Sequence, residues 1–112
     1  MLTRTLLKLL LACALLACTS IAAARTVLID VRTPEEYAAG HLEGALNIAH
    51  AEIGQRIAAS GVSKLDQLIV YCQSGRRSHV AGQTLTRMGY RHVLDYGAME
   101  RARQRLVTRS GN

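Results

Sequence analysis

Short apolar runs alternate with stretches of helical spacing through most of the chain. The runs at 27–29 and 68–71 are apolar without interruption, which is typical of buried strands, and the pattern at 90–95 predicts a third strand. Helices are predicted at 33–39, 51–59, 78–88 and 99–107. This alternation predicts an α/β fold with a mostly parallel central sheet and helices on both of its faces.

The first of these helices carries a clear start signal. Thr33 is suited to cap the helix, Pro34 fits the first helical position, and Glu36 completes a capping box. Gly40 is placed to end the helix. The boundaries of this element are therefore the best defined in the sequence.

The N-terminus departs from the alternating pattern. Arg4 and Lys8 precede an apolar run at 9–17. Three alanines at 22–24 resemble a small-residue cleavage site. The run is too short to span a membrane. Together these features predict a secretory signal peptide at residues 1–24.

Removal of that leader would leave a single domain at residues 25–112, which we expect in the periplasm. An alternative is lipoprotein processing, because Leu15-Leu16-Ala17-Cys18 resembles a lipobox in which the cysteine is acylated. Leu16 is a less usual residue at its position in such a motif. The protein would contact a membrane only if Cys18 were lipidated.

The chain is moderately basic, with 14 Lys and Arg residues against 8 Asp and Glu residues. This excess favours anionic small molecules as ligands. It is too small to indicate nucleic-acid binding, and the sequence has no Trp or Phe that could stack on bases.

Cysteine usage narrows the chemistry further. Once the leader is removed, Cys72 is the only cysteine, so an intramolecular disulfide is excluded. The histidines show no spacing that would complete a metal site with it. In an exported protein a lone cysteine is an oxidation hazard unless it is buried or used.

Cys72 stands where the second apolar run ends and a polar, glycine-containing loop begins. We call residues 72–77 the cysteine loop. Its backbone N–H groups and those of the following helix's first turn can converge on the sulfur, and two arginines add positive charge. Such a field favours the thiolate, which is the nucleophilic form. The sequence thus predicts a cysteine nucleophile in an anion-binding loop.

Three segments resemble the signatures of the rhodanese family. They are Asp30–Tyr37, Gly40–Ile48 and the C-x-x-G-x-R motif Cys72–Arg77, and the likeness extends over about 27–99. The resemblance is strongest to exported single-domain thiosulfate sulfurtransferases. The chain departs from the family near its C-terminus, where Gly97-Ala98 replaces a common glycine pair and the usual tryptophan is missing.

The resemblance implies that Cys72 accepts sulfane sulfur from thiosulfate or a similar donor and passes it, as a persulfide, to cyanide or a thiol. It implies no metal and no organic cofactor. Cys72 is the expected catalytic residue. The expected substrate-binding residues are Gln73, Ser74, Gly75, Arg76 and Arg77.

Alternative roles stay open at this stage. A non-catalytic sulfur carrier would use the same cysteine, and a buried structural thiol would need none of the loop's charge. A cysteine phosphatase would have the motif C-x5-R, but here Arg77 follows four intervening residues and Ser78 occupies the phosphatase position. Asp30 and Arg32 are expected to form a structural pair.

Overall fold

A computed structural model describes residues 3–8 and 23–111 of the chain. Residues 3–8 are helical. The apolar run at 9–17 and the lipobox at 15–18 lie outside the described residues, so the predictions made for them stay predictions. Among the residues that are described, no helix is long and apolar enough to cross a bilayer.

Four parallel strands form the central sheet in the order β2-β1-β3-β4. The strands are β1 (Thr26–Asp30), β2 (Leu46–Asn47), β3 (Gln67–Cys72) and β4 (His92–Ala98). β1 pairs with β3 along its full length, from Thr26 opposite Gln67 to Asp30 opposite Tyr71. The predicted parallel sheet is therefore confirmed, and the carboxyl ends of β1 and β3 lie side by side.

Four α-helices surround the sheet: α1 (Pro34–Ala39), α2 (Ile53–Arg56), α3 (Arg76–Arg87) and α4 (Met99–Ser110). α1 begins with the predicted capping box, in which Thr33 Oγ1 accepts from the Glu36 N–H and Glu36 accepts from the Thr33 N–H. Gly40 lies just beyond its end, as predicted.

The prediction of one continuous helix at 51–59 is wrong. The segment is a 3₁₀ turn (His50–Glu52), the single turn of α2, and a second 3₁₀ turn (Ala58–Ser60). Ile53 and Ile57 hold it to the core, and both side chains are fully buried. A Cβ added at Gly54 would lie 3.6 Å from Thr84 on α3, an ordinary van der Waals contact, so this short segment packs beside that helix.

Side chains of β3 alternate between two apolar clusters. Leu68, Val70 and Cys72 belong to the cluster on the α2 and α3 side of the sheet. Ile69 and Tyr71 belong to the opposite cluster, which includes Ala102 of α4. Helices thus cover both faces, as the sequence predicted, and the last two residues of β3 point in opposite directions.

A β-bulge shapes the end of β4. Val70 pairs with Asp95 but Tyr71 pairs with Gly97, so Tyr96 is the extra residue. The predicted strand at 90–95 therefore begins later and runs on through Ala98. The bulge, together with a φ of 76° at Gly97, brings the end of β4 beside the cysteine loop. A Cβ at Gly75 would lie 3.7 Å from both Gly97 Cα and Ala98 N.

Candidate active site

Cys72 is the last residue of β3 and is fully buried. The Gly75 N–H donates to its Sγ at 3.0 Å, and the Ser78 N–H donates at 3.3 Å. Gly75 precedes α3 with a φ of 102°, a conformation that favours glycine. Ser78 lies in the first turn of α3, whose N–H groups have no partner within the helix. The strand end, the glycine and the helix start together direct donors at the sulfur.

These donors determine the acidity of the thiol. Burial raises the pKa of Cys72, but hydrogen bonds from the Ser78 hydroxyl and from the N–H groups of Ser78, Gly75 and Ser74 outweigh it, so the pKa lies below its usual value. The direction agrees with the expectation from the sequence. Cys72 therefore differs from a buried structural thiol, which would become less acidic on burial.

Ser78 is a site residue that sequence reasoning did not select. Its Oγ lies 3.5 Å from Cys72 Sγ and donates to the Gly75 carbonyl at 3.1 Å. A neutral thiol can donate to this oxygen, whereas a thiolate needs a donor, which the hydroxyl supplies by rotating its proton toward sulfur. Its position in the first turn after the loop was the available signal.

Arg77 pairs with the start of α1. Its guanidinium donates to the two carboxylate oxygens of Glu36 at 2.6 and 2.9 Å. The pair lowers the pKa of Glu36 to about 2 and raises that of Arg77. Arg77 thus braces the cysteine loop, and most of its charge is neutralised where it stands. Sequence analysis treated Glu36 only as a helix-start acid.

Two open cavities flank the loop. Ser74, Gly75 and the exposed Arg76 lie in the wall of one, with a volume of about 600 Å³. Gln73 lies in the wall of the other, of about 340 Å³, together with Arg32. Four of the five residues predicted to bind substrate are therefore divided between two openings, and Arg77 lines neither of them. Cys72 lines neither opening.

Asp30 and Arg32 form the predicted structural pair at the end of β1. Arg32 donates to Asp30 at 2.8 Å, and their side chains are 6% and 0% exposed, respectively. The Tyr71 hydroxyl donates to Asp30 at 2.8 Å and accepts from the Leu42 N–H at 3.0 Å. Arg32 also donates to Gln73 Oε1 at 3.3 Å. This network fixes the segment where the cysteine loop begins.

Metal ligands do not gather at the site. Within residues 3–8 and 23–111, no three His, Cys, Asp or Glu side chains lie close enough to hold a metal ion. His41, a conceivable base, instead has its Nδ1 2.8 Å from the Tyr37 carbonyl and stacks on the Tyr37 ring.

The chain is similar to known proteins in sequence and in fold. Residues 17–100 match the Rhodanese-like domain family. Thiosulfate sulfurtransferase PspE of Escherichia coli is 44% identical over 72 residues, which cover 64% of this chain and 69% of PspE. A solved structure, a rhodanese with anions from E. coli, superposes with a TM-score of 0.65 and 42% identity, over 68% of this chain and 89% of that one.

The human single-domain sulfurtransferase TSTD1 is similar as well, with a TM-score of 0.62 and 32% identity over 81% of this chain and 88% of that chain. The match to the family covers most of the sequence. The chain therefore belongs to the rhodanese-like domain family and is a sulfurtransferase, as its sequence predicted.

Proposed function

We propose that the protein transfers sulfane sulfur from thiosulfate, or a donor like it, to a thiophilic acceptor through a persulfide on Cys72. The observation that carries this proposal is the set of N–H donors from Gly75 and Ser78 around a buried sulfur with a lowered pKa. Two relatives of this chain carry the name thiosulfate sulfurtransferase, one of them from E. coli, which supports the choice of donor.

The first step forms the persulfide. The Cys72 thiolate attacks the outer sulfur of thiosulfate, a new S–S bond forms, and the S–S bond of thiosulfate breaks. Sulfite leaves with that electron pair. The N–H groups of Gly75 and Ser78 that hold the thiolate are placed to hold the charge of the persulfide as well. In the second step cyanide or a thiolate attacks the outer sulfur and releases Cys72 as thiolate.

Charge at the loop selects an anionic donor. Arg76 is exposed at the opening that Ser74 and Gly75 share, so its guanidinium is free to attract a dianion. Arg77 acts differently, because its pairing with Glu36 fixes the loop and leaves little charge for the substrate. Gln73 lines the opposite wall. Since the sulfur is fully buried, reaction requires the loop to shift and admit the donor.

Mass spectrometry of the intact protein after exposure to thiosulfate tests the proposal. We expect the mass of one added sulfur, located on Cys72 and removed by cyanide. The Cys72→Ser variant should gain no sulfur and show no thiosulfate–cyanide transfer, with an unchanged fold by circular dichroism. Sulfur transfer retained in Cys72→Ser would contradict the mechanism.

Turnover number separates an enzyme from a carrier. An enzyme releases many thiocyanate molecules per protein molecule with thiosulfate and cyanide in excess, whereas a carrier that is not reloaded releases one. We expect multiple turnovers. Hydrolysis of an aryl phosphate by the same sample, without sulfur transfer, would instead favour the phosphatase alternative.

We further propose that residues 1–24 are a leader removed on export to the periplasm. Two features of the domain support cleavage after Ala24: β1 begins at Thr26, and the Arg25 backbone nitrogen lies 2.8 Å from Asp66 Oδ1. Cleavage there would turn this nitrogen into an ammonium group beside a carboxylate. Intact mass decides, because a chain that begins at an acylated Cys18 would show lipoprotein processing instead.

A further inference from the structure

One face of α4 forms a positively charged groove that ends at the cysteine loop. Two adjoining cavities of about 600 and 650 Å³ share Tyr96, Arg101 and Arg105 in their walls and so form one continuous depression. The arginines along it are Arg76, Arg101, Arg105 and Arg109. We call these four residues and the depression they line the arginine groove.

The arginines of the groove lack acidic partners. In the described part of the chain, no carboxylate lies within ion-pair distance of Arg76, Arg101 or Arg105. Arg105 lies over the Tyr96 ring, 5.2 Å from its centre. By contrast, Arg103 points elsewhere on the same helix and pairs with Glu100. Positive charge on the groove side is therefore available to a ligand.

Asp95 and Arg109, which both lie in the wall of the groove, already have hydrogen-bond partners. Asp95, the acidic residue in its wall, accepts from the Gly97 N–H at 2.9 Å and lies 4.0 Å from His79. Arg109 donates to Gln67 Oε1 at 2.5 Å. This contact holds the guanidinium of Arg109 in place without neutralising its charge. The net field in the groove stays positive.

The spacing of the arginines along α4 indicates the kind of ligand. Arg101, Arg105 and Arg109 recur every four residues, which on a helix is a step of about 6 Å. Side chains on one face of an extended peptide recur every second residue, a step of about 6.6–6.8 Å. Acidic residues at alternate positions of an extended segment therefore match successive arginines.

The groove also leads to the reacting atom. Gly75 lies in its wall, and the N–H of the same residue contacts Cys72 Sγ at 3.0 Å. We propose that the arginine groove binds an acidic, extended segment of a partner protein whose thiol is the sulfur acceptor. The inference rests on the proposed function, since it names the partner of the second step.

The transfer step balances without an added oxidant or reductant. The partner's thiolate attacks the outer sulfur of the Cys72 persulfide and forms a new S–S bond. The bond between the outer sulfur and Cys72 Sγ breaks, and its electron pair leaves on Sγ as thiolate. The partner departs as a persulfide, and the enzyme is ready for another donor.

Model peptides test the proposal. The full-length mature protein is loaded with thiosulfate, and sulfur transfer is timed to a peptide with one cysteine followed by aspartates at alternate positions, or to its asparagine counterpart. Electrostatic attraction should make the acidic peptide react about tenfold faster or more at low salt. The advantage should shrink as salt rises, because the exposed charges become screened.

Variants assign the effect to the groove. Arg101→Gln/Arg105→Gln should slow sulfur transfer to the acidic peptide and leave the rate with the asparagine peptide unchanged, so that the advantage of the acidic peptide disappears. Arg56→Gln, which replaces an exposed arginine on α2 that pairs with Glu52, is the control and should keep the advantage. Thermal melts confirm that the substituted surfaces leave the fold intact.

The possible outcomes distinguish failure of the groove proposal from failure of the proposed function. Equal rates for both peptides, with normal cyanide turnover, would overturn the groove proposal and leave the proposed function standing. Failure to form any persulfide would overturn the proposed function itself. Binding to phosphatidylglycerol vesicles that depends on Arg101 and Arg105, without a peptide advantage, would assign the groove to a membrane surface and also overturn the proposal.

Discussion

Tyr71 and Cys72 are neighbours at the end of β3, and both side chains are fully buried, but they lie on opposite faces of the sheet. Tyr71 donates to the Asp30 carboxylate, whereas Cys72 accepts from the N–H groups of Gly75 and Ser78. The Tyr71 hydroxyl thus keeps its proton by donating it to an anion, whereas the Cys72 sulfur is surrounded by hydrogen-bond donors.

The acidity of the two groups diverges accordingly. Burial raises the pKa of Tyr71 to about 12 against the opposing Leu42 N–H, and the hydrogen bond to Asp30 adds to the rise. Burial also raises the pKa of Cys72, but there the donors from Ser78 and the loop reverse the direction. Burial alone therefore does not decide reactivity. Reactivity depends on whether the groups around the buried atom are hydrogen-bond donors, which stabilise its anion, or an anion, which does not.

Among changes to the groups around Sγ, the largest expected effect comes from removing the hydroxyl of Ser78. In Ser78→Ala the thiolate loses one donor, so the pKa of Cys72 should rise toward its ordinary value. A hydrogen bond to a charged group contributes about 1.5–3 kcal/mol, and we expect sulfur transfer at neutral pH to fall about tenfold or more. The rate of alkylation of Cys72 as a function of pH measures the change.

The direction of this change in the pKa of Cys72 is specific. The midpoint of alkylation should move to higher pH in Ser78→Ala, because a larger fraction of the thiol stays protonated at any given pH. Tyr71→Phe, which removes the adjacent buried hydroxyl on the opposite face, is the control and should leave that midpoint in place. An unchanged midpoint in Ser78→Ala would show that the backbone donors suffice.

A smaller effect, on stability alone, is expected from Tyr71→Phe. The substitution keeps the ring but leaves the buried Leu42 N–H without its acceptor and Asp30 with one donor fewer. An unsatisfied buried group costs about 1–3 kcal/mol in the free energy of unfolding, which urea denaturation measures. A loss of activity beyond the unfolded fraction would mean that the two faces are coupled.

The sequence carried the features that depend on local chemistry. The parallel sheet, the capping box of α1, the Asp30–Arg32 pair and the place of Cys72 at a strand end followed from neighbouring residues and their alternation. The opposite orientation of Tyr71 also followed, because side chains along a strand alternate. Local rules thus placed the catalytic strand and its loop in the fold.

The sequence missed the features that depend on distant residues or on backbone detail. The Arg77–Glu36 contact joins positions 41 residues apart, and no local pattern announces it. The bulge at Tyr96 likewise depends on the pairing of β4 with β3. The role of Ser78 depends on the fact that α3 begins at Arg76, two residues before the predicted start, which places the Ser78 N–H and hydroxyl against the sulfur.

The last and smallest effect concerns the brace that holds the donors in place. The Arg77–Glu36 pair is partly exposed, with side chains 27% and 33% exposed, so a contribution of about 0.2–1 kcal/mol to stability is expected. Arg77→Gln should weaken sulfur transfer less than Ser78→Ala does, without unfolding the domain. A double-mutant cycle with Glu36→Gln isolates the pair's contribution.

The pair also has a pH signature whose direction is fixed. The pKa of Glu36 is about 2 in the folded protein against an ordinary 4.5, so its contribution is present above pH 4.5 and is lost as pH falls toward 2. Glu36→Gln should remove this part of the acid dependence, and Arg77→Gln should remove the same part because it takes away the partner. If unfolding curves of the wild type and both variants keep the same slope between pH 4.5 and 2, the brace does not form in solution, and the loop's donors must be held by the Gly75 turn and α3 alone.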